Sequence, residues 1–328
     1  MSQSQSGDVQ EEILGVLKRG AEYTIISQKS GDKWNLRFLK VSKLSLFLRH
    51  HLFDLPLHLQ GEVNVIISIV SGICEASKYY TQVISPLLNT LEVTHKPLYT
   101  TSCTSIKEFA QFLTGTVILL SGDGGVNDLV NYAKSDSGLI IVLIPMGSGN
   151  AIYNSYIKNG LYTMLRGSPI PLPNFEVSFS QAILDGKQLE SMLGAVIVSY
   201  GFHPTLVDES EKYREYGAKR FEMMAEELLK KPRKYTGTVN GEEMKGYAAA
   251  TMVKKLDSDF VVSAENELRL IHTDTSDLMK GYHGGLGAWR VDRVEFQARG
   301  KICVDGLIVE VMGQAVVEEV PSRMKLVI

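Results

Sequence analysis

Between Val63 and Met146 the chain alternates two textures. Unbroken apolar runs (VNVIISIV, TVILLS, LIIVLIP) are separated by stretches such as KYYTQVISPLLNTL and SIKEFAQFL, which are compatible with helix. Strands buried on both faces read as continuous apolar runs, and helices between them make the sheet parallel. An open α/β domain is therefore predicted over residues 62–165. Before it, AEYTIIS, KWNLRFLKV and LSLFLRHHLFDLPL are short apolar runs broken by polar turns, so residues 1–61 read as a polar start followed by a strand-rich lead-in.

After residue 166 the pattern changes again. NFEVSFSQAIL, LGAVIVSYGF, ELRLIHT, RVEFQARGKICVDGLIVEV and RMKLVI are strand-like, with turn signals at Asp185-Gly186 and Asn240-Gly241. A mostly antiparallel second domain is predicted over residues 166–328. One long helix is expected to interrupt it from Glu209, with Tyr213, Gly217, Phe221, Met224 and Leu228 near one face and Pro232 at its end.

Composition narrows the class without naming it. At 328 residues, with 44% hydrophobic and 22% charged, the chain suits two folded domains. A net charge of −3 gives no general electrostatic reason to bind nucleic acid, so any anion site must be local. Cys74, Cys103 and Cys303 are few and far apart, which fits a reducing, cytoplasmic setting better than a disulfide framework. The start, MSQSQSGDVQEE, lacks the basic and apolar parts of a secretory signal, and no apolar run reaches membrane-spanning length. The histidines show no metal-binding spacing.

The informative stretch is TVILLSGDGGVNDLVN, where a buried strand runs into Gly122, Asp123, Gly124 and Gly125. Glycines after a strand let the backbone turn and let another group come near. A second such loop, PMGSGNA, places Gly147, Ser148, Gly149 and Asn150 after the next strand. In a parallel sheet both loops lie at the carboxyl ends of strands, where open α/β folds bind ligands and exposed amides suit phosphate oxygens. Neither loop is a GxGxxG or GxxxxGK[ST] signature. Asp123 suits three roles: accepting a proton from an attacking hydroxyl, holding magnesium, or satisfying its own turn amides.

These segments resemble the diacylglycerol kinase catalytic fold, through SGDGGVNDLVN and PMGSGNA, and its sphingosine kinase branch, through SYGFHPTLVDESEKYREYGAKRF. KICVDGLIV is similar to the late VDGE strand of that family. The resemblance implies an α/β nucleotide-binding domain followed by a β-sandwich lipid-binding domain, with the site between them. It implies transfer of the γ-phosphoryl group of ATP, with Mg2+, to the primary hydroxyl of a lipid. Asp123 then matches the general base, while Gly122, Gly124, Gly125 and Asn127 line the phosphate path. Gly147, Ser148, Gly149 and Asn150 match the second nucleotide loop, and Thr100 a nucleotide-contacting threonine. Arg214 and Arg220 match basic residues that meet the phosphates.

The sequence also departs from that pattern. The first loop, SIVSGICEAS, has Ser68 and Ile69 where the family has Asn-Pro, leaving Ser71 and Gly72 as the recognisable nucleotide contacts. Leu307 replaces the glutamate after Asp305-Gly306, with Asp305 left to help position magnesium. The substrate-holding aspartate falls on Val207, with Asp208 one place later. The leading expectation is a kinase of a sphingoid base that touches membranes transiently through apolar loops of its second domain. Diacylglycerol and ceramide remain open as substrates. The competing readings are a non-catalytic homologue that binds lipid or a partner, and a soluble-metabolite kinase such as the NAD kinases.

Overall fold

The computed structural model describes residues 11–29, 31–217, 219–231, 233–257, 260–275 and 288–328. At its centre is a six-stranded sheet in the order His95–Tyr99, Val63–Ile67, Thr116–Ser121, Ile140–Pro145, Lys325–Val327, Pro169–Pro171. The first five strands are parallel and the last is antiparallel. All six residues of Thr116–Ser121 are buried, which explains its unbroken apolar sequence. From Val63–Ile67 the chain crosses first to His95–Tyr99 on one side and then to Thr116–Ser121 on the other. That reversal opens a crevice at the carboxyl ends of the strands.

The stretch read as one helix after the first loop is built from Ala76–Tyr79, a π-helical turn Tyr80–Ile84 and Ser85–Thr90. The widened turn comes just before Pro86, which cannot donate to the helix ladder.

Two expectations are corrected. The C-terminal run RMKLVI, expected in the second domain, returns to the first sheet: Lys325 and Leu326 pair in parallel with Ile140 and Ile141. The long helix expected from Glu209 is three pieces, Phe202–Ser210, a 3-10 segment Glu211–Tyr216 and Lys219–Lys230. Gly217, with φ of +59°, breaks it, because its backbone enters a region that L side chains avoid and the chain turns there. Met224 and Leu228 are buried as expected, whereas Tyr213 is not. The expected stop at Pro232 lies outside the described residues.

The second domain is an antiparallel β-sandwich built on one twelve-stranded sheet. Its longest hairpin joins Arg293–Val304 to Leu307–Val320 through Asp305 (φ +48°) and Gly306 (φ +89°). Two successive left-handed residues make the tight turn that matches strand twist, and Asp-Gly is a pair that accepts it. Alternation across this sheet explains how the domains join. Val198, Tyr200, Ala248, Ala250 and Leu270 point into the sandwich core. Their neighbours Ile197, Tyr247, Ala249 and Ile271 point the other way, into a core shared with Val117, Leu119, Val126 and Leu129 of the α/β domain. The α/β domain and the sandwich therefore share one apolar core.

The lead-in is a four-stranded module in the order Leu36–Val41, Glu22–Lys29, Glu11–Arg19, Leu52–Phe53. Leu14, Leu17 and Ile26 bury against Leu87, Leu88, Leu161 and Leu165 of the α/β domain. Arg166 fastens it further, donating through Nε to the Leu14 carbonyl at 3.2 Å and through Nη2 to the His51 carbonyl.

Candidate active site

Three loops meet at the carboxyl end of the parallel sheet. The first follows Val63–Ile67, the second follows Thr116–Ser121 and the third follows Ile140–Pro145. Their glycines are explained by contact between backbones. A methyl on Gly122 would lie 2.8 Å from the Gly147 Cα, one on Gly147 would lie 2.4 Å from the Gly122 Cα, and one on Gly72 would lie 2.4 Å from the Met146 carbonyl oxygen. Gly125 packs on the Ser121 side chain instead. Gly124 is different, because a methyl there would meet nothing within 4 Å. It stands exposed in the first turn of the helix Asp123–Tyr132, a position open to a ligand.

Hydroxyls tie the first loop to its neighbours. Ser71 Oγ donates to Ser68 Oγ at 2.6 Å and lies 3.3 Å from Ser121 Oγ. Thr100 Oγ1 accepts from the Ile69 amide at 3.1 Å. Thr100, Ser71, Gly72, Gly122 and Gly147 are thus brought together at one end of the sheet.

Asp123 lies between the loops. Its Oδ2 accepts from the Ala151 amide at 2.7 Å and its Oδ1 from the Ile152 amide at 3.1 Å. The carboxylate therefore caps the helix Ala151–Tyr156 across the cleft, and it is not spent on its own turn. Two amides that could have faced a phosphate are occupied by it. Burial raises its pKa to about 6, against these two hydrogen bonds, which lower it, and with a further upward push from Asp305. A carboxylate titrating there is suited to taking a proton near neutral pH. Asn150 stabilises its own loop, donating to the Gly147 carbonyl at 2.8 Å and accepting from the Gly147 amide at 3.3 Å. Ser148 and Gly149 are the exposed residues of that loop.

Five residues expected at the site have other partners. Asn127, expected on the phosphate path, is buried and donates to the Leu193 carbonyl and to Asp305. Asp305, expected to help position magnesium, accepts from the amides of Ala195 (2.6 Å), Val196 (3.0 Å) and Ile197 (2.7 Å) and from Asn127 Nδ2 (3.2 Å). Each of its oxygens carries two donors, which fills a carboxylate. Asp208 is bound to Lys301 Nζ at 2.5 Å. Arg214 and Arg220 converge on one carboxylate, Glu211, at 2.7 and 2.5 Å. Arg220 is the more enclosed of the two, and its Nε is buried without a hydrogen-bond partner among the described residues.

Among the described residues, no group of three or more His, Cys, Asp and Glu side chains is placed to hold a metal. The residues fit magnesium in one way only, as an ion that arrives on phosphate oxygens and takes at most a single carboxylate from the protein. Asp123, between the loops, and Glu75, on the first loop, are the carboxylates that could supply it.

The comparisons agree with this geometry. The family model of the diacylglycerol kinase catalytic domain matches residues 62–166, the stretch that carries all three loops. Residues 62–166 form a diacylglycerol kinase catalytic domain. The family is one of ATP-dependent lipid kinases. A Bacillus anthracis str. Sterne protein assigned as a diacylglycerol kinase superposes with a TM-score of 0.58 at 13% identity, over 81% of this chain and 96% of that one. Another structure, of diacylglycerol kinases from the same organism, gives 0.55 at 12% identity with coverage of 81% and 96%. At such identity the likeness is one of fold, and it spans the catalytic domain and the sandwich together. No curated protein matches the sequence.

Beside the diacylglycerol kinase catalytic domain, the second domain contributes a partly buried polar pair that sequence reading missed. Ser199 Oγ lies 2.7 Å from His203 Nδ1, and burial pushes the His203 pKa down to about 4, so the ring is neutral. The available signal was the Ser-x-x-x-His spacing in SYGFH, which carries no distinctive meaning on its own.

Proposed function

We propose that this protein transfers the γ-phosphoryl group of ATP to the primary hydroxyl of a lipid. The observation that carries the reading is Asp123, a partly buried carboxylate with a raised pKa, held by two amides where three glycine loops touch. Asp123 takes the proton of the attacking hydroxyl. Gly124 leaves the helix N-terminus open to the phosphates, and Ser148 and Gly149 border the same crevice. Arg220 offers a donor that has no partner. Magnesium, arriving with the nucleotide, would neutralise charge on the phosphate oxygens, with Asp123 and Glu75 as the protein carboxylates beside the loops.

A sphingoid base is the favoured substrate because the segment from Ser199 to Phe221 resembles the sphingosine kinase branch. Asp208 is the acid at hand for its amine, once released from Lys301. Val261 and Trp289 are exposed apolar side chains of the sandwich and suit transient contact with a lipid surface. No helix among the described residues is long and apolar enough to cross a membrane.

The test is radiolabelled phosphate transfer from Mg-ATP to a panel of sphingoid bases, ceramides and diacylglycerols, with Asp123→Asn alongside. Transfer to one class that is lost in the variant supports the reading and names the substrate. No transfer to any class, with no stabilisation by Mg-ATP, would favour the non-catalytic lipid- or partner-binding reading.

A further inference from the structure

The first glycine loop, SGICEAS, contains no cation and carries Glu75. A cavity of about 210 Å3 lies over the loops, bordered by Gly72 and Glu75 of the first loop, Gly147 and Ser148 of the third, and Gly217 at the break between the two helical segments. Phosphate oxygens placed there would meet backbone and an acidic side chain. Among the described residues, the one positive charge lining this cavity comes from outside the catalytic domain: it is Lys33, in the turn between the second and third strands of the lead-in module.

That turn is built and docked. The Asp32 carboxylate accepts from the Trp34 amide at 3.0 Å, and the Asp32 amide donates to the Lys29 carbonyl at 3.0 Å, which fixes the residue between them. Trp34 packs edge-on against Tyr79 at 5.3 Å between ring centroids, on the helix that follows the first loop. Lys78 lies 4.7 Å over the Trp34 ring. Lys33 is therefore held at the lip of the crevice by contacts its own ammonium does not make. The ammonium itself meets Glu75 at 3.5 Å and lies 5.2 Å over the Trp34 ring, and the side chain is 51% exposed, so it stays within reach of solvent. It also stands where this cavity meets a second one of about 510 Å3 between the lead-in module and the α/β domain, with Pro145 and Met146 lining both.

We infer that Lys33 is a phosphate-binding residue of the nucleotide site, so that the lead-in module completes the site of the catalytic domain. The cavity then has Lys33 on one wall, the glycine loops on its floor, and the Gly217 turn, with Arg214 and Arg220 to either side of it in sequence, on the other. An incoming phosphate displaces Glu75 from Lys33 and takes its place. The inference rests on the nucleotide-binding reading above.

The experiment is calorimetric titration of the full chain with Mg-ATP at low and high salt, for wild type, Lys33→Met and Lys33→Arg. Lys33→Met is expected to bind about ten-fold more weakly, with a flatter salt dependence, at an unchanged melting temperature. Lys33→Arg should stay within about three-fold of wild type, since it restores the charge. Binding by Lys33→Met within about two-fold of wild type would overturn the inference while leaving the nucleotide site intact. A Lys33→Arg protein as weak as Lys33→Met would overturn it too, because charge would then not be what Lys33 supplies. Wild type that binds no Mg-ATP would remove both the inference and the reading beneath it.

Discussion

Asn127 Nδ2 donates to Asp305 Oδ2 at 3.2 Å, joining the helix after the Asp123 loop to the hairpin turn of the sandwich, 178 residues further along the chain. Asp305 also holds the amides of Ala195, Val196 and Ile197, so one carboxylate sets the sandwich against the helix that begins with Asp123. Asp305→Ala leaves three amides without this acceptor. The expected loss is on the order of 3 kcal/mol or more of stability, read by urea denaturation. Asn127→Ala removes one donor from Asp305 and one from the Leu193 carbonyl, but leaves Asp305 three others and Leu193 the Asn131 amide, and should cost about 1 kcal/mol. Equal losses in the two variants would show that Asp305 is not the hub.

Glycine substitutions separate packing from ligand access. Gly122→Ala drives a methyl into the third loop and must part the two loops, so phosphate transfer should fall about 100-fold. Gly124→Ala meets no protein atom within 4 Å and, in a helical turn, should leave stability unchanged or slightly raised. If phosphates run over that turn, Gly124→Ala will still weaken Mg-ATP binding. A Gly124→Ala protein with full ATP affinity and full turnover would place the phosphates elsewhere.

Much of this arrangement was legible in the chain, for reasons particular residues make plain. Thr116–Ser121 announces a doubly buried parallel strand by having no polar gap, and the glycines after it announce a close approach. What the sequence could not show is what approaches. Gly122 and Gly147 face each other, a long-range contact that leaves no local pattern. Asp305 was read as chemistry because of a family motif, yet Asp-Gly between two apolar runs is also the ordinary signature of a hairpin turn, and the structure has that turn. The break at Gly217 was hidden inside a good amphipathic pattern, where one glycine is usually tolerated. Lys33 gave no signal, because nothing in the spacing of the lead-in strands says that their turn reaches Gly72.

Asp123 makes a pH prediction with two opposite signs. Its carboxyl titrates near 6 in the folded protein against an ordinary 3.8, so the native state binds the proton more tightly than the unfolded chain. The stability this provides is fully present below pH 3.8 and is lost as pH rises through about 6, amounting to about 3 kcal/mol at most. Activity runs the other way, because a general base must be ionised: kcat/KM should fall as pH drops below about 6. The check is a pH–rate profile beside melting curves of wild type and Asp123→Asn. The variant should lose activity at every pH and also lose this part of the pH dependence of stability. A profile flat from pH 5 to 8 would remove Asp123 as the base.

Arg220 and Glu211 provide the last test, because the pair is strained between two duties. Glu211 holds both Arg214 and Arg220, yet the Arg220 Nε, buried beside the Gly217 turn, has no acceptor. A buried donor without a partner costs free energy until something accepts from it, and a phosphate oxygen is the acceptor the site would supply. Arg220→Met should weaken Mg-ATP binding by about ten-fold while changing stability little, since it removes an unsatisfied group along with a partly screened ion pair. Glu211→Gln should do the reverse, tightening Mg-ATP binding by a few-fold, on the order of 0.5–1 kcal/mol, because the carboxylate that competes with phosphate for both guanidinium groups is gone. Titration of both variants decides the matter: if Glu211→Gln weakens binding as much as Arg220→Met does, Glu211 orients the arginine and does not compete for it.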